Sequence, residues 1–331
     1  MTRPGVAIVG CGLIGHKRAA SLTGARLIAC ADVKQERADA LARTASGTIA
    51  SDDWRAAIDR PDVSIVVVAT TNDALAAVSG FAVEAGKHVL VEKPAARRVA
   101  EIDPLIDAAA RCGRLVRVGF NHRYHPAIRK ARELFESGAL GAPMFVRGRY
   151  GHGGRLGYEK EWRADPAMAG GGEIIDQGVH LIDLSRWFLG DFATVSGFAH
   201  TFFWAMPVDD NAFMTLRTAG DQTAFLHVSC TEWKNLFSFE MYGRNGKLHI
   251  EGLGGSYGME RLAFHRMLPG MGPPDTTIWE YPQADGSWAL EFEEFVDDIR
   301  LERMPAANLL DARAALIVVE EIQRQSGYSI T

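Results

Sequence analysis

Three groups of residues have the side chains and spacing to carry chemistry. The first is Gly10-Cys11-Gly12-Leu13-Ile14-Gly15, a GxGxxG run that follows a short apolar stretch and opens a helical one. Glycines at this spacing permit a tight turn and close backbone approach, so amides at a helix N-terminus can meet a pyrophosphate. Asp32 ends the next apolar run, about 20 residues on, where a carboxylate accepts hydrogen bonds from ribose hydroxyls. Its charge repels a 2′-phosphate and favours NAD over NADP, a preference that the nearby Lys34 and Arg37 soften. The second is Lys93, which lies in Glu92-Lys93-Pro94 where the apolar run HVLV stops. A lysine there can hold or donate to a substrate oxygen; the alternative is a surface salt bridge with Glu92. The third is Asp176 with His180, four residues apart and so on one helix face. Histidine is the usual general base near neutral pH, and a carboxylate beside it supports its charged form. The alternative is an ion pair that only stabilises the helix. The otherwise apolar surroundings (Ile174, Ile175, Val179, Leu181, Ile182 and Leu184) favour function.

The elements that must position these residues follow from the hydrophobic pattern. Strand signals at 6–9, 26–31, 48–50, 63–69, 88–91 and 115–119 alternate with helical stretches at 13–22, 34–43, 54–58 and 99–111. The β-branched run VSIVVVA marks a strand buried on both faces, and repeated βα units specify a doubly wound parallel sheet. The pattern changes near Asn121. Helices are expected at 125–137 and 172–189, a strand at 144–150, and alternating segments at 194–203, 212–218, 223–229, 237–242 and 247–251. These suit an antiparallel sheet with helices on one face. Residues 269–283, rich in Pro and Gly, read as a surface loop, and helices at 288–302 and 309–325 close the chain.

In this order along the chain, the GxGxxG turn with Asp32, Glu92-Lys93-Pro94, the run GFNHRYHPA at 119–127 and the helix with Asp176 and His180 resemble the Gfo/Idh/MocA family of oxidoreductases. The resemblance covers essentially the whole chain. It implies an α/β protein: an N-terminal Rossmann domain that binds NAD(P), residues 1–121, and a C-terminal α+β domain, residues 122–331. The second domain would have a large, mostly antiparallel open sheet that shapes the substrate pocket and often the oligomer interface. Lys93, Asp176 and His180 fall on the family's catalytic positions, with either Lys93 or His180 as the base. The implied reaction is hydride transfer between nicotinamide and a secondary alcohol carbon of a sugar, sugar acid, nucleotide sugar or inositol. The expected cofactor contacts are Gly10, Gly12, Leu13, Ile14, Gly15, Asp32, Thr70, Asn72, Glu92 and Lys93. The chain departs from the family in one place: Thr70-Thr71-Asn72-Asp73-Ala74-Leu75 stands where a TPxxxH-like turn is usual.

The substrate side is expected to use Asn121, Arg123 and Tyr124, together with a glycine-rich loop bearing His152, Arg155, Tyr158, Trp162 and Arg163. Arg155 and Arg163 can grip phosphate or carboxylate as a fork; Arg123 has a structural alternative. His122 and His125 lack the neighbouring carboxylate or cysteine cluster that a metal requires, so no metal is expected. With a net charge of −5 and 23% charged residues, the chain has no basic face for nucleic acid. It has no apolar run of membrane length, and no signal peptide is expected. Four scattered cysteines fit a reducing compartment, so the expectation is a cytoplasmic homo-dimer or homo-tetramer. The competing readings are a non-catalytic NAD-binding sensor on the same fold, and an oxidoreductase acting on a trans-dihydrodiol or imine.

Overall fold

The computed structural model describes residues 3–328. Six strands form the first sheet: β1 (Gly5–Val9), β2 (Arg26–Ala31), β3 (Ile49–Ser51), β4 (Ile65–Val68), β5 (His88–Val91) and β6 (Val116–Val118). They are all parallel, in the order β3-β2-β1-β4-β5-β6. β1 and β4 are buried along their whole length, as strands covered on both faces must be. The order reverses between β1 and β4, and in such sheets ligands bind at the carboxyl ends beside that switch point.

The chain divides into two compact units, and the first is discontinuous: residues 1–120 are joined by residues 288–313. This differs from a single cut after residue 121, and buried charge explains the difference. Arg18 and Arg117 are 1% and 0% exposed, and a buried cation is tolerated only when paired. Arg18 donates to Glu92 at 2.6 Å and to Glu291 at 2.5 Å, while Arg117 binds Asp298 and, at 3.1 Å, Glu294. Three of these four carboxylates come from the helix Ser287–Leu301. Its Phe292 and Phe295 also enter the apolar core beneath β1 and β4, and Ala307 accepts the Val118 amide. The first 120 residues thus lack three of the four carboxylates and two core side chains that their own interior requires.

The second unit is built on eight strands: β7 (Pro143–Gly151), β8 (Phe192–His200), β9 (Asn211–Thr218), β10 (Thr223–Ser229), β11 (Leu236–Gly243), β12 (Gly246–Glu251), β13 (Glu260–Arg266) and β14 (Asp275–Tyr281). The order is β14-β13-β12-β11-β7-β10-β9-β8. All pairings are antiparallel except β10 with β7. The helix Val179–Leu189 packs on β7 and β10. β14 falls within the stretch read from sequence as a surface loop. It is an edge strand paired only to β13 and exposed over most of its length, so it has no buried face to give a period-two signal.

Replacing Arg18 with Met should strand two buried carboxylates and lower the unfolding free energy by roughly 3–5 kcal/mol. Glu291→Gln should cost less, because Glu92 still faces the guanidinium. Urea titrations of both variants check this; equal stability of Arg18→Met and the parent would overturn it.

Candidate active site

The first unit brings its expected cofactor residues to one edge. β1 runs into the turn 10–15, β4 into Thr70 and Asn72, and β5 into Glu92 and Lys93. Gly10 has φ +95°, and a Cβ there would lie 2.4 Å from the Ala69 carbonyl. A Cβ on Gly15 would lie 2.1 Å from the Gly10 carbonyl. Gly12 differs: its backbone is extended and the space around an added Cβ is open. The protein's own packing therefore requires two of the three glycines, whereas Gly12 is small where only an approaching ligand would need it. No side chain caps the helix Leu13–Ala20, so its first amides suit an anion. Asp32 accepts the Cys11 amide at 2.8 Å and the Lys34 amide at 3.0 Å. These bonds hold the turn to the end of β2 and leave the carboxylate capacity for ribose hydroxyls. The residues present fit a dinucleotide.

Asn72 is buried at the start of the helix Asn72–Glu84, while Leu13 points outward. Glu92 is buried and held by Arg18, which makes its side chain an anchor for the sheet edge. Its neighbour Gly119 leaves room for that pair, since a Cβ there would lie 2.6 Å from Arg18 Nη2. Lys93 is half-buried in the turn that follows, and its peptide bond to Pro94 is cis.

In the second unit, Asp176 and His180 lie on one continuous helical stretch whose opening is not α-helical. Ile174–Gly178 forms a π turn that runs directly into the helix Val179–Leu189, an irregularity often found at functional sites. Asp209 holds its start by accepting the amides of Gly172 and Ile174 at 2.9 and 2.8 Å. Burial pushes the Asp209 carboxyl up to about 7, against those same backbone bonds.

Around this turn the polar residues pair with one another. Arg163 donates to Asp176 at 3.0 Å. Glu173, 1% exposed, accepts the Tyr158 hydroxyl at 3.1 Å and lies 3.3 Å from His152 Nε2. Burial pushes His152 down, but the Glu173 hydrogen bond and charge outweigh it, so His152 titrates above its ordinary value. Arg155 reaches Glu161 at 2.6 Å. The glycine-rich loop is thus a folded segment pinned to the π turn. Arg163 lies over the Trp162 ring, and Gly154, at φ +67°, sits where a Cβ would meet Trp204 at 2.4 Å.

His180 is buried and its ring stacks on His122, with centroids 3.7 Å apart and planes 15° apart. Tyr150 stands edge-on to both rings and contacts Tyr257. Burial first, and then Tyr257, push the Tyr150 hydroxyl well above its ordinary value. Asn121 is buried and bonded to Ser287, and Tyr124 is buried. Arg123 has the structural part: both its Nε and Nη2 bind Asp183, with both side chains buried. The sequence singles out His122 only as half of a poor metal pair and gives no role to Glu173, Glu161, Tyr150 or Tyr257. Glu173 is visible as a charge in GGGEIIDQG three residues before Asp176. Tyr257 carries no local signal, because only the sheet brings it to Tyr150.

With this geometry in hand, comparison with known proteins decides the family. Residues 5–120 match the oxidoreductase family, NAD-binding Rossmann fold, and residues 128–249 match the GFO/IDH/MocA C-terminal domain. The chain belongs to the Gfo/Idh/MocA family. Among curated relatives, levoglucosan dehydrogenase of Pseudarthrobacter phenanthrenivorans is 32% identical over 57% of this chain and 49% of its own length. Inositol 2-dehydrogenase 2 of Saccharopolyspora erythraea is 33% identical over 59% of this chain and 56% of its own. The matched region thus spans about half the length of these relatives. A levoglucosan dehydrogenase structure in complex with NADH and L-sorbose superposes with TM-score 0.88 at 24% identity, over 98% of each chain. An oxidoreductase domain protein from Kribbella flavida gives 0.88 at 26%, over 99% of this chain and 98% of that one. The first unit is therefore an NAD-binding Rossmann fold of this family. Among the described residues, no helix is long and apolar enough to cross a membrane.

Gly12→Ala should leave the unfolding curve unchanged yet weaken NAD binding at least about tenfold, or 1.4 kcal/mol. Fluorescence titration with NADH measures the binding. An unchanged Kd would show that the turn does not receive the pyrophosphate.

Proposed function

We propose that this family member is an NAD-dependent dehydrogenase of a neutral sugar or cyclic polyol, acting at a secondary alcohol carbon. The balance of charge on the π turn and its loop carries this reading. Asp176, Glu173 and Glu161 are met by Arg163, His152 and Arg155, so the two loop arginines are already engaged by carboxylates. This counts against the anion-gripping fork expected from sequence, and so against phosphate- or carboxylate-bearing substrates. What the turn and loop then offer is a charge-balanced set of polar groups suited to the hydroxyls of a polyol. The names of the relatives, levoglucosan and inositol dehydrogenases, agree with this class.

NAD, when bound, supplies the hydride acceptor, and the nicotinamide belongs at the carboxyl edge that carries Lys93. Lys93 donates a hydrogen bond to the reacting oxygen and stabilises its developing negative charge. His180 takes the hydroxyl proton, and returns it in ketone reduction. Asp176, fixed by Arg163, supports the positive charge that His180 acquires. Asn121, Tyr124, His152, Tyr158 and Trp162 are the candidates for the remaining hydroxyls.

A homo-dimer or homo-tetramer is supported by an aromatic outer sheet face. Phe198, Phe213, Phe225 and Phe145 share one side by strand register, and three of them are exposed, Phe198 at 49%, Phe225 at 54% and Phe145 at 36%. A patch of this kind marks an interface. The four cysteines, none in a disulfide, support the cytoplasm as the compartment.

Light scattering on the purified protein should give a dimer or tetramer, and Phe198→Glu with Phe225→Glu should give a monomer. A monomeric parent would refute the interface. Spectrophotometric NADH formation should be fastest with inositols and neutral anhydro- or hexose sugars, and slower with uronates and nucleotide sugars; the reverse ranking would sink the neutral-polyol reading. Lys93→Met and His180→Ala should each lower kcat by roughly 10²–10⁴ with NADH affinity unchanged. Near-normal turnover in both would remove the assignment. No turnover on any substrate, with NADH still bound, would favour a sensor.

A further inference from the structure

His122 plays no part in the reaction as described, yet it stacks on the residue that does. A chain of hydrogen bonds fixes its proton. The Ser287 hydroxyl donates to Asp285 Oδ1 at 2.6 Å, and a carboxylate only accepts. Ser287 Oγ must therefore accept from Asn121, whose Nδ2 lies 2.9 Å away. That turns the amide oxygen of Asn121 towards His122 Nδ1, 3.3 Å away. An amide oxygen cannot donate, so Nδ1 of His122 carries the proton. All the bonds run one way, from the imidazole through amide and hydroxyl to the carboxylate. Asn121, His122 and Ser287 are all buried, and Asp285 is 27% exposed at the far end.

We propose that His122 is a positioning residue for His180: its ring fixes the plane of the His180 imidazole, and the Asn121–Ser287–Asp285 relay stabilises the proton that the stacked pair acquires. The proposal rests on His180 being the proton acceptor described above. Two imidazoles 3.7 Å apart resist carrying two charges at once, so a second added proton is disfavoured relative to the first. A neutral ring beneath an imidazolium also offers it a favourable π face. The proton that leaves the substrate hydroxyl thus passes to a pair already polarised towards Asp285, and returns from it in the reverse direction.

The other groups around the stack do not replace this relay. Tyr150, on β7, is held in its neutral form by burial. His125 meets His122 edge-on and is bonded to Glu260 at 2.9 Å; its Nε2 lies 3.9 Å from Asp285 Oδ1, so it shares that carboxylate without reaching the His180 ring. Phe237, on β11, is uncharged and edge-on. On the helix of His180, Asp183 is taken by Arg123; Asp176 in the π turn, fixed by Arg163, supports the charge on His180 and acts alongside the relay.

Asp285→Asn keeps the hydrogen-bonding shape and removes only the charge. It should move the acidic limb of the kcat/KM profile to lower pH and reduce kcat about tenfold, less than the roughly 10²–10⁴ expected for the base itself. KM and NADH affinity should hold. His122→Phe keeps a flat ring and should shift the limb in the same direction, whereas His122→Ala should lose more kcat. Histidine-ring NMR on the parent, which needs no substrate, should show the pair titrating in two separated steps, with the upper step lowered in Asp285→Asn. An unmoved acidic limb together with independent, coincident ring titrations would overturn the inference. His180→Ala, run alongside, separates the two questions. Full turnover without His180 removes the base assignment, while the ring titrations still decide whether the stack and its relay are coupled.

Discussion

The guanidinium of Arg18 is the interaction on which the first unit depends. It sits on the helix that opens from the glycine turn, lies over the Trp288 ring at 4.4 Å, and is enclosed by two carboxylates. An ion this deeply buried cannot be left unpaired. The constraint therefore fixes three elements at once: the helix below the dinucleotide turn, the end of β5 through Glu92, and the later helix through Glu291. Burial pushes the Glu291 carboxyl up while Arg18 opposes it, as expected where two acids share one cation. Because Glu92 is locked inward, the next residue, Lys93, is delivered at the sheet edge. An apolar strand that stops on two opposite charges thus has a physical division of labour: one charge anchors the edge and the other stands in the half-buried turn beyond it.

The second unit uses buried charge differently. Carboxylates gather around the π turn, at Glu173, Asp176 and Asp209, each held by a separate donor: His152 and Tyr158, Arg163, and the backbone amides of Gly172 and Ile174. The π turn keeps Asp176 and His180 on one stretch of helix while the segment before it is drawn to Asp209. Matching donors to acids rigidifies the surroundings of His180.

The chemistry was largely legible before the fold. Glycine spacing, a strand-ending aspartate, a charged strand stop and an Asp–His helix pair are local patterns, and each falls where its element ends or turns. The parallel sheet was equally readable, because β4 and β5 are too apolar to face water. The edge strand β14 was not, since it buries neither face. The return of a late helix to the first unit was not legible, because the sequence does not show that Arg18 and Arg117 are interior. Once they are, carboxylates must be found, and three of the four lie more than 170 residues further along the chain.

The roles of the arginines divide along the same line. From sequence, Arg123, Arg155 and Arg163 were all available for a ligand; the fold gives each a carboxylate, Asp183, Glu161 and Asp176 respectively. The order of His122 and His125 suggested only a poor metal pair, whereas the sheet and its helix place one of them flat against His180. The sequence by itself determined which residues can carry a dinucleotide turn and a proton transfer, because those depend on residue type at short spacing. Tertiary structure alone decided which charges are spent on one another and which imidazole lies against His180, because both depend on contacts between residues far apart in the chain.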